Sequence, residues 1–375
     1  MIYRAIGLMS GSSLDGLDIA YVHFHENAGN WSFDMEHADC YPYTAEWTNK
    51  LQSAVQLNAL DYQLLHTEYG HYLGEQVNAF INIHQLQYQV QLIASHGHTV
   101  FHVPDKKMTA QLGDGAAIAA QTGIPVVSDL RALDIALGGQ GAPIVPIGDQ
   151  LLFNAYPYCL NIGGIANISF QNGGNCISFD ICPANRVLNL LAARAGKAYD
   201  EGGQMALSGN VNKKLLNSLN RLSFYSEPYP KSLSNAFGND LVYPLVLREE
   251  PVPEDALCTY TEHIACQVNA AIGQIREKTG GAVAPAKMLV TGGGAFNNYL
   301  IQRIQDRIAA YHIELLVPDE KTVQYKEALV MALIGVLRWR EENNVLSSVT
   351  GATRNSIGGA IWMGMKHEYV PVSGI

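Results

Sequence analysis

Apolar residues change their spacing several times along the chain, and each change marks an element. Strand-like runs begin at Ile6 and at residues 19–24, joined by the polar, glycine-rich stretch "GLMSGSSLDGLD". Over residues 49–84, Leu51, Val55, Leu64, Leu65, Leu73, Val77 and Phe80 fit helical spacing better than strand spacing. The run "VQLIASHG" (90–97) reads as a strand whose crest carries polar groups. "GIPVVSD" (123–129) repeats that design, ending in Ser128 and Asp129, and residues 114–121 between them form a small-residue helix. The second half restarts the same grammar. "YCLNIGGIANISF" (158–170) is strand, glycine turn, strand, and "CISFDICPANRVLNLLAARAG" (176–196) is strand, polar loop, helix. An amphipathic stretch spans 258–279, residues 287–308 give strand, triple glycine and helix, and residues 326–340 form a late helix before a glycine-rich tail.

Strands alternating with helices predict an α/β protein with parallel or mixed sheets covered on their faces. Two halves that each restart with a strand–glycine–strand hairpin predict a duplicated architecture around a central cleft. The expected division is residues 1–130 plus 346–375 for an N-terminal α/β domain, and 131–345 for a C-terminal one.

A formal net charge of -10 and the absence of any Lys/Arg run argue against a nucleic-acid or anionic-membrane surface. A local cleft can still be positive on an acidic protein, so an anionic small substrate is compatible. The six cysteines contain no C-x-x-C pair, which reads as reduced thiols and not as a zinc knuckle or disulfide framework. No signal peptide or membrane-length apolar window is legible, so a cytoplasmic protein is expected. A homodimer is expected as the commonest assembly.

The first glycine loop, Gly11-Ser12-Ser13-Leu14-Asp15-Gly16, joins two strands and opens no helix, unlike a Walker loop. Gly11 and Gly16 can take positive φ, so backbone N–H groups there, with those of Leu14 and Leu17, can converge on an anion. Ser12 and Ser13 add hydroxyls, and Asp15 and Asp18 could hold Mg2+ directly or through water. Taken alone, the loop is more often a plain hairpin with Asp15 as a turn residue. Its company changes that reading. "NIGGIAN" supplies Asn161, Gly163, Gly164 and Asn167 in the same setting, and Gly292, Gly293 and Gly294 stand between a strand and a helix. Two phosphate hairpins plus a strand–helix glycine turn for the nucleoside would bind ATP.

This pairing resembles the sugar kinase, Hsp70 and actin superfamily. The opening "GLMSGSSLDGLD" resembles, more specifically, the anhydro-N-acetylmuramic acid kinase family. "SHGHTV", "QLGDGAAIAAQTGIPVVSDLRALDIALGGQGAPIVP", "LNIGGIANIS", "AYDEGGQMALSG", "YPKS", "TGGGAFN" and "SVTGA" follow in family order, over nearly the whole chain. The resemblance implies two actin/hexokinase-like (ribonuclease H-like) domains, with ATP and Mg2+ as cofactors and an anhydro-amino-sugar as partner. It also implies a reaction that hydrolyses the 1,6-anhydro ring while phosphorylating the 6-hydroxyl.

Asp180 ends the strand "CISFD", a usual place for a reactive carboxylate, though spacing alone favours a cap on the following helix. The resemblance makes it the catalytic base that activates water. Glu327, opening the late helix, corresponds to a family glutamate near the sugar, or is a surface helix residue. His96, Thr99, Asp129, Arg131 and Asp134 lie at first-half strand crests and would bind substrate. Arg131 suits a carboxylate such as the lactyl group, or forms a structural ion pair with the flanking aspartates. "HGH" fits hydrogen-bonding histidines and not a metal site. Lys231 would bind phosphate or sugar, or is a solvated loop lysine.

Three departures from the family pattern bear on the substrate. Residues 181–185 read Ile-Cys-Pro-Ala-Asn in place of T-G-P-G-N, "LSNAFGND" replaces T-G-R-E after Lys231, and His98 replaces Gln. A kinase of the same fold for another sugar or polyol, or a nucleotide-gated binding protein without turnover, are the alternatives.

Overall fold

The computed structural model describes residues 1–11, 14–172, 175–250, 252–280 and 285–364. Ser12 and Ser13 therefore lie outside the described residues. In chain order, the strands β1 (Ile2–Ser10), β2 (Gly16–Asn27) and β3 (Asn30–Pro42) form a meander, followed by helices α1 (Ala45–Ser53) and α2 (Ala59–Ile83). Next come β4 (Leu92–Val103), β5 (Met108–Leu112), α3 (Gly115–Thr122), β6 (Val126–Ser128), α4 (Ala132–Ala136) and α5 (Pro146–Leu152). A second meander, β7 (Tyr158–Ile162), β8 (Ile165–Asn172) and β9 (Asn175–Pro183), precedes α6 (Asn185–Ala193). Five helices follow: α7 (Gln204–Ser208), α8 (Lys213–Asn220), α9 (Ser223–Ser226), α10 (Tyr243–Glu249) and α11 (Pro253–Thr279). The chain closes with β10 (Ala286–Thr291), α12 (Asn298–Ile308), β11 (Ile313–Leu316), α13 (Glu320–Trp339), α14 (Ser347–Thr350) and β12 (Ala360–Trp362).

The chain forms two compact units. One comprises Met1–Leu152 with Glu327–Ile375, the other Phe153–Lys326. In the first, the strand order is β12-β6-β4-β1-β2-β3, with β5 paired to β4; in the second it is β11-β10-β7-β8-β9. Each sheet is an antiparallel meander whose first strand pairs in parallel with the strand that follows the next helical crossover. A further parallel strand, β6 or β11, extends each sheet. The same order, third-second-first-fourth-fifth, occurs twice, which is the duplicated, ribonuclease H-like α/β architecture expected from the repeated hairpins.

The units differ from the expected division in where residues 131–152 and 327–345 belong. Both segments pack in the first unit. A methyl group on Gly7 of β1 would collide with the Ala328 carbonyl of α13, and one on Gly335 would lie 2.5 Å from Ala94 Cβ on β4. Glycine is thus required where α13 lies on the sheet. Asn344, fully buried, donates to the Ile334 and Gly358 carbonyls at 3.1 and 2.9 Å and accepts from Gly358 N at 2.7 Å.

Local chemistry explains most boundaries. The helical spacing over residues 49–84 corresponds to two helices, because Asn58 starts a new one by accepting from Asp61 N at 3.0 Å. In the second unit α11 is the central helix, buried along much of its length. Its buried Glu262 is held between Arg303 and Arg307 of α12, whose Nε atoms donate at 2.9 and 2.6 Å.

Asp134, expected at a substrate-facing crest, is fully buried and serves the fold. Its carboxylate accepts from Gly141 N and from Thr350 Oγ1, both at 2.7 Å, joining the loop after α4 to α14. Asp134→Ala leaves both donors unpaired, and should lower the stability of the first unit by about 3 kcal/mol. Denaturant unfolding followed by far-UV circular dichroism measures it.

Candidate active site

In the second unit the sheet itself lines up the polar residues. Thr291 of β10 pairs with Asn161 of β7, Asn161 with Asn167 of β8, and Asn167 with Asp180 of β9. Four polar side chains therefore occupy one row across four strands at the carboxyl ends of β7 and β10, where open α/β sheets place ligands. A bulge between Ala166 and Asn167 opposes Ile181 to no partner, and such an extra residue re-aims its neighbours. Asp180 sits beside it. Its half-buried carboxyl accepts one hydrogen bond, from Leu233 N at 2.8 Å, and burial pushes its pKa up to about 6. Such a carboxyl can exchange a proton near neutral pH.

The segment that holds Asp180 is fixed by Lys231. Its Nζ donates to the Phe224 carbonyl at 3.0 Å, lies 3.5 Å from the Tyr225 carbonyl, and sits 4.6 Å from the centre of the Phe224 ring. Asp180 N donates in turn to the Lys231 carbonyl at 3.1 Å. Tyr225 is anchored to α11, because His263 Nε2 accepts from its hydroxyl at 3.1 Å while Nδ1 donates to Asn220 at 2.7 Å. Burial lowers the His263 pKa to about 3, so this bridge stays neutral. In the structure Lys231 thus points at backbone carbonyls.

The glycines of this unit divide into two kinds. Gly292 has φ +80°, and a methyl group there would lie 2.6 Å from Asn161 Oδ1; one on Gly294 would lie 2.7 Å from Ile162 Cβ. These two are needed to seat the third glycine loop against β7. Gly163 and Gly164 are different. Neither has a positive φ, and an added methyl group would find its nearest atoms at 3.6 and 3.8 Å. Gly293 also has room, with Asn185 Nδ2 at 3.5 Å. Asn185 links the two loops, donating to the Ile162 carbonyl at 3.0 Å. The altered segment 181–185 continues β9: Ala166 pairs with Cys182, Ile165 with Pro183, and Ala184 N donates to the Gly164 carbonyl at 2.8 Å. No residue in it has a positive φ, so the loss of the family glycines introduces no such strain.

In the first unit, Leu14 of the β1–β2 connection takes the left-handed conformation (φ 60°), and Leu14 N lies 3.4 Å from the Gly11 carbonyl. Gly16 does not adopt the positive φ expected of it. Its small size lets β2 approach β3, since a methyl group would lie 2.6 Å from the Tyr41 carbonyl. Leu17 is buried in the core and offers only its backbone. Asp15 is exposed. Asp18 is half-buried, and burial together with Asp15's charge outweighs a hydrogen bond with Cys40 to raise its pKa to about 6. Two neighbouring carboxyls that no cation pairs among the described residues suit a hard, oxygen-liganded ion.

Ser10, just before the hairpin, is fixed by a chain of hydroxyls: Tyr69 and Tyr43 lie 2.6 Å apart, Tyr43 donates to Ser10 Oγ at 2.8 Å, and Ser10 lies 3.0 Å from His98 Nδ1. Burial lowers the His98 pKa to about 4, leaving it neutral as the acceptor that ends the chain. At the β4 crest, His96 is neutral for the same reason, aided by Arg131; its Nδ1 donates to the Gly97 carbonyl at 3.0 Å, which leaves Nε2 as an acceptor. Arg131 donates to the Gly141 carbonyl at 2.6 Å and Thr99 Oγ1 at 3.1 Å, and stands 3.3 Å from His102 Nδ1. It is not ion-paired with the aspartates that flank it in sequence. Asp129 is exposed with φ 55°. Glu327 lies half-buried in α13. Among the described residues no group of three or more His, Cys, Asp or Glu side chains could hold a metal.

Asn185 and Arg186, next to the glycine turn, were not among the expected site residues. Their position is set by β9 folding back along β8, and the only sequence signal was the retained Asn that closes the altered segment.

The family model described as anhydro-N-acetylmuramic acid kinase matches residues 3–364. An anhydro-N-acetylmuramic acid kinase of Haemophilus influenzae is 34% identical over 382 residues, covering 95% of this chain and 97% of that protein. Those of Aliivibrio fischeri (33%; 96% and 99%) and Hydrogenovibrio crunogenus (31%; 95% and 97%) are similarly related. Among solved structures, the activator of the 2-hydroxyisocaproyl-CoA dehydratase from Clostridium difficile with bound ADPNP is similar over 90% of this chain and 96% of that one. The TM-score is 0.43 at 14% identity, a likeness too loose to carry function.

Asp180 binds its proton more tightly folded than unfolded, so its contribution to stability falls as pH rises from about 4 to about 6. Asp180→Asn should therefore stabilise the ligand-free protein at pH 8 by about 1–2 kcal/mol, the full value of the shift being reduced by solvent that reaches the carboxyl. The gain should vanish at pH 4, and thermal unfolding at both pH values checks it.

Proposed function

The chain belongs to the anhydro-N-acetylmuramic acid kinase family, and from that membership we propose how its residues carry out the reaction. The protein is a phosphotransferase acting on a hydroxyl of the anhydro-amino-sugar. The observation that supports the mechanism best is Asp180: a half-buried carboxyl beside a β-bulge, oriented by Leu233 N and poised near pH 6.

Asp180 takes a proton from water as the water oxygen attacks the anomeric carbon of the sugar. The bond from that carbon to the bridging 6-oxygen breaks, and its electron pair stays on the 6-oxygen. That oxygen attacks the γ-phosphorus of ATP, and ADP leaves. The products are N-acetylmuramic acid 6-phosphate and ADP, with the proton on Asp180 released to solvent. No second carboxylic acid has to protonate the leaving oxygen, because phosphorus receives its charge.

The backbone of residues 11–18 and the turn at Asn161, Gly163, Gly164 and Asn167 hold phosphate oxygens, and Gly293 borders the nucleoside. His96, through Nε2, accepts a hydrogen bond from the sugar, with Thr99 and Arg131 beside it and Asp129 at the neighbouring strand end. Glu327 helps to hold the water. Mg2+, when bound, neutralises phosphate charge, and Asp18 with Asp15 is the donor pair that fits it. Six free cysteines, four of them buried, agree with a reducing cytoplasm. Among the described residues no helix is long and apolar enough to cross a membrane.

Incubation with ATP, 1,6-anhydro-N-acetylmuramic acid and 18O-water should yield a 6-phosphorylated, ring-opened sugar carrying one heavy oxygen at the anomeric carbon, seen by mass spectrometry. A phosphorylated product without the label would overturn the assignment of Asp180. Asp180→Asn should lower kcat by about 10²–10⁴-fold with nucleotide binding retained. In the wild type, kcat/KM should rise with pH through about 6, as the carboxyl ionises.

A further inference from the structure

We propose that Arg186 is an anion-binding residue of the second glycine turn, its guanidinium donating to phosphoryl oxygens of the bound nucleotide. The inference rests on the reading of that turn as a phosphate site and adds a charged side chain to it.

Two independent observations support it. Arg186 stands at the start of α6, beside Gly164: a methyl group added to that glycine would lie 3.8 Å from Arg186 Nε and 4.0 Å from Nη2. Its Nε is buried and has no hydrogen-bond partner. A guanidinium carries five N–H donors, and the buried Nε–H of this one has no acceptor among the described residues. Leaving such a donor buried without an acceptor is unfavourable, and an oxyanion placed against the turn would remove that cost. The second observation concerns the glycines. Gly163 and Gly164 adopt no left-handed backbone, and among the described residues no atom comes close enough to exclude a methyl group. None of those residues requires glycine at either position, in contrast to Gly292 and Gly294. Close approach of a ligand to the turn does require it. The open face of the turn and the unpaired Nε–H lie side by side, and phosphoryl oxygens would satisfy both.

Isothermal titration calorimetry of the full chain with a non-hydrolysable ATP analogue, with adenosine and with the anhydro-sugar tests the assignment. Arg186→Met should weaken the ATP analogue by about 10- to 100-fold, with adenosine and sugar affinities unchanged. Arg186→Lys should fall between, since one ammonium replaces part of the fork. Gly164→Ala should also weaken the analogue while the unliganded melting temperature stays at the wild-type value. An unchanged analogue affinity in Arg186→Met overturns the proposal. So does a loss confined to the sugar, which would make Arg186 a sugar-carboxylate residue, and so does a fall in the unliganded melting temperature with adenosine weakened equally, which would make it structural. A wild-type protein that binds no ATP analogue overturns the phosphate reading of the turn itself, and with it this proposal.

Discussion

A carboxyl group that must lose its proton near neutral pH, yet remain aimed at one point, constrains much of the second unit. Burial alone would raise the pKa of Asp180 further and leave its carboxyl unoriented. A single backbone N–H from Leu233 counters part of that shift and fixes the carboxyl plane. The N–H is available only because residues 229–233 are held, and they are held by a lysine seated on two carbonyls of α9. Behind these stands Tyr225, held by His263 of the longest helix of the unit. Each contact is ordinary in strength. Their order in space gives the carboxyl its direction.

Glycine serves three purposes in this protein, and the distinction sharpens the functional reading. Gly7 and Gly335 let a helix lie on a sheet, and Gly292 supplies a left-handed turn. Gly163 and Gly164 do neither. Packing therefore accounts for much of the third glycine loop, whereas among the described residues it does not account for the second. The first hairpin mixes both kinds, since Gly16 is explained by its contact with β3 while Leu14 takes the left-handed position.

The repeated strand–glycine–strand pattern was enough to predict two related α/β units, because antiparallel hairpins and buried parallel strands leave distinct spacings. It did not reveal β3, an edge strand of mixed exposure, or the short helices between residues 204 and 249, whose four to eight residues are too few to establish a period. Asp180 was legible as a polar residue late in a strand, although the strand runs on to Pro183 instead of ending there, and resemblance gave it a role; the bulge that re-aims it is a matter of register between strands. Asp134 looked similar in sequence and is instead a buried fastening, which depends on Thr350 more than two hundred residues away. Arg186 gave no signal because its meaning lies in its nearness to Gly164, set by β9 folding back on β8.

The first unit is assembled from two stretches of chain separated by the whole of the second. β12, which completes its sheet beside β6, and α13, which covers β1, are made last. On the ribosome, residues 153–326 emerge as one continuous piece and can reach their native topology while the earlier strands still lack α13 and their final neighbour. An unfinished sheet with apolar strands waits through that interval, which makes the N-terminal half the stretch of nascent chain most in need of a chaperone.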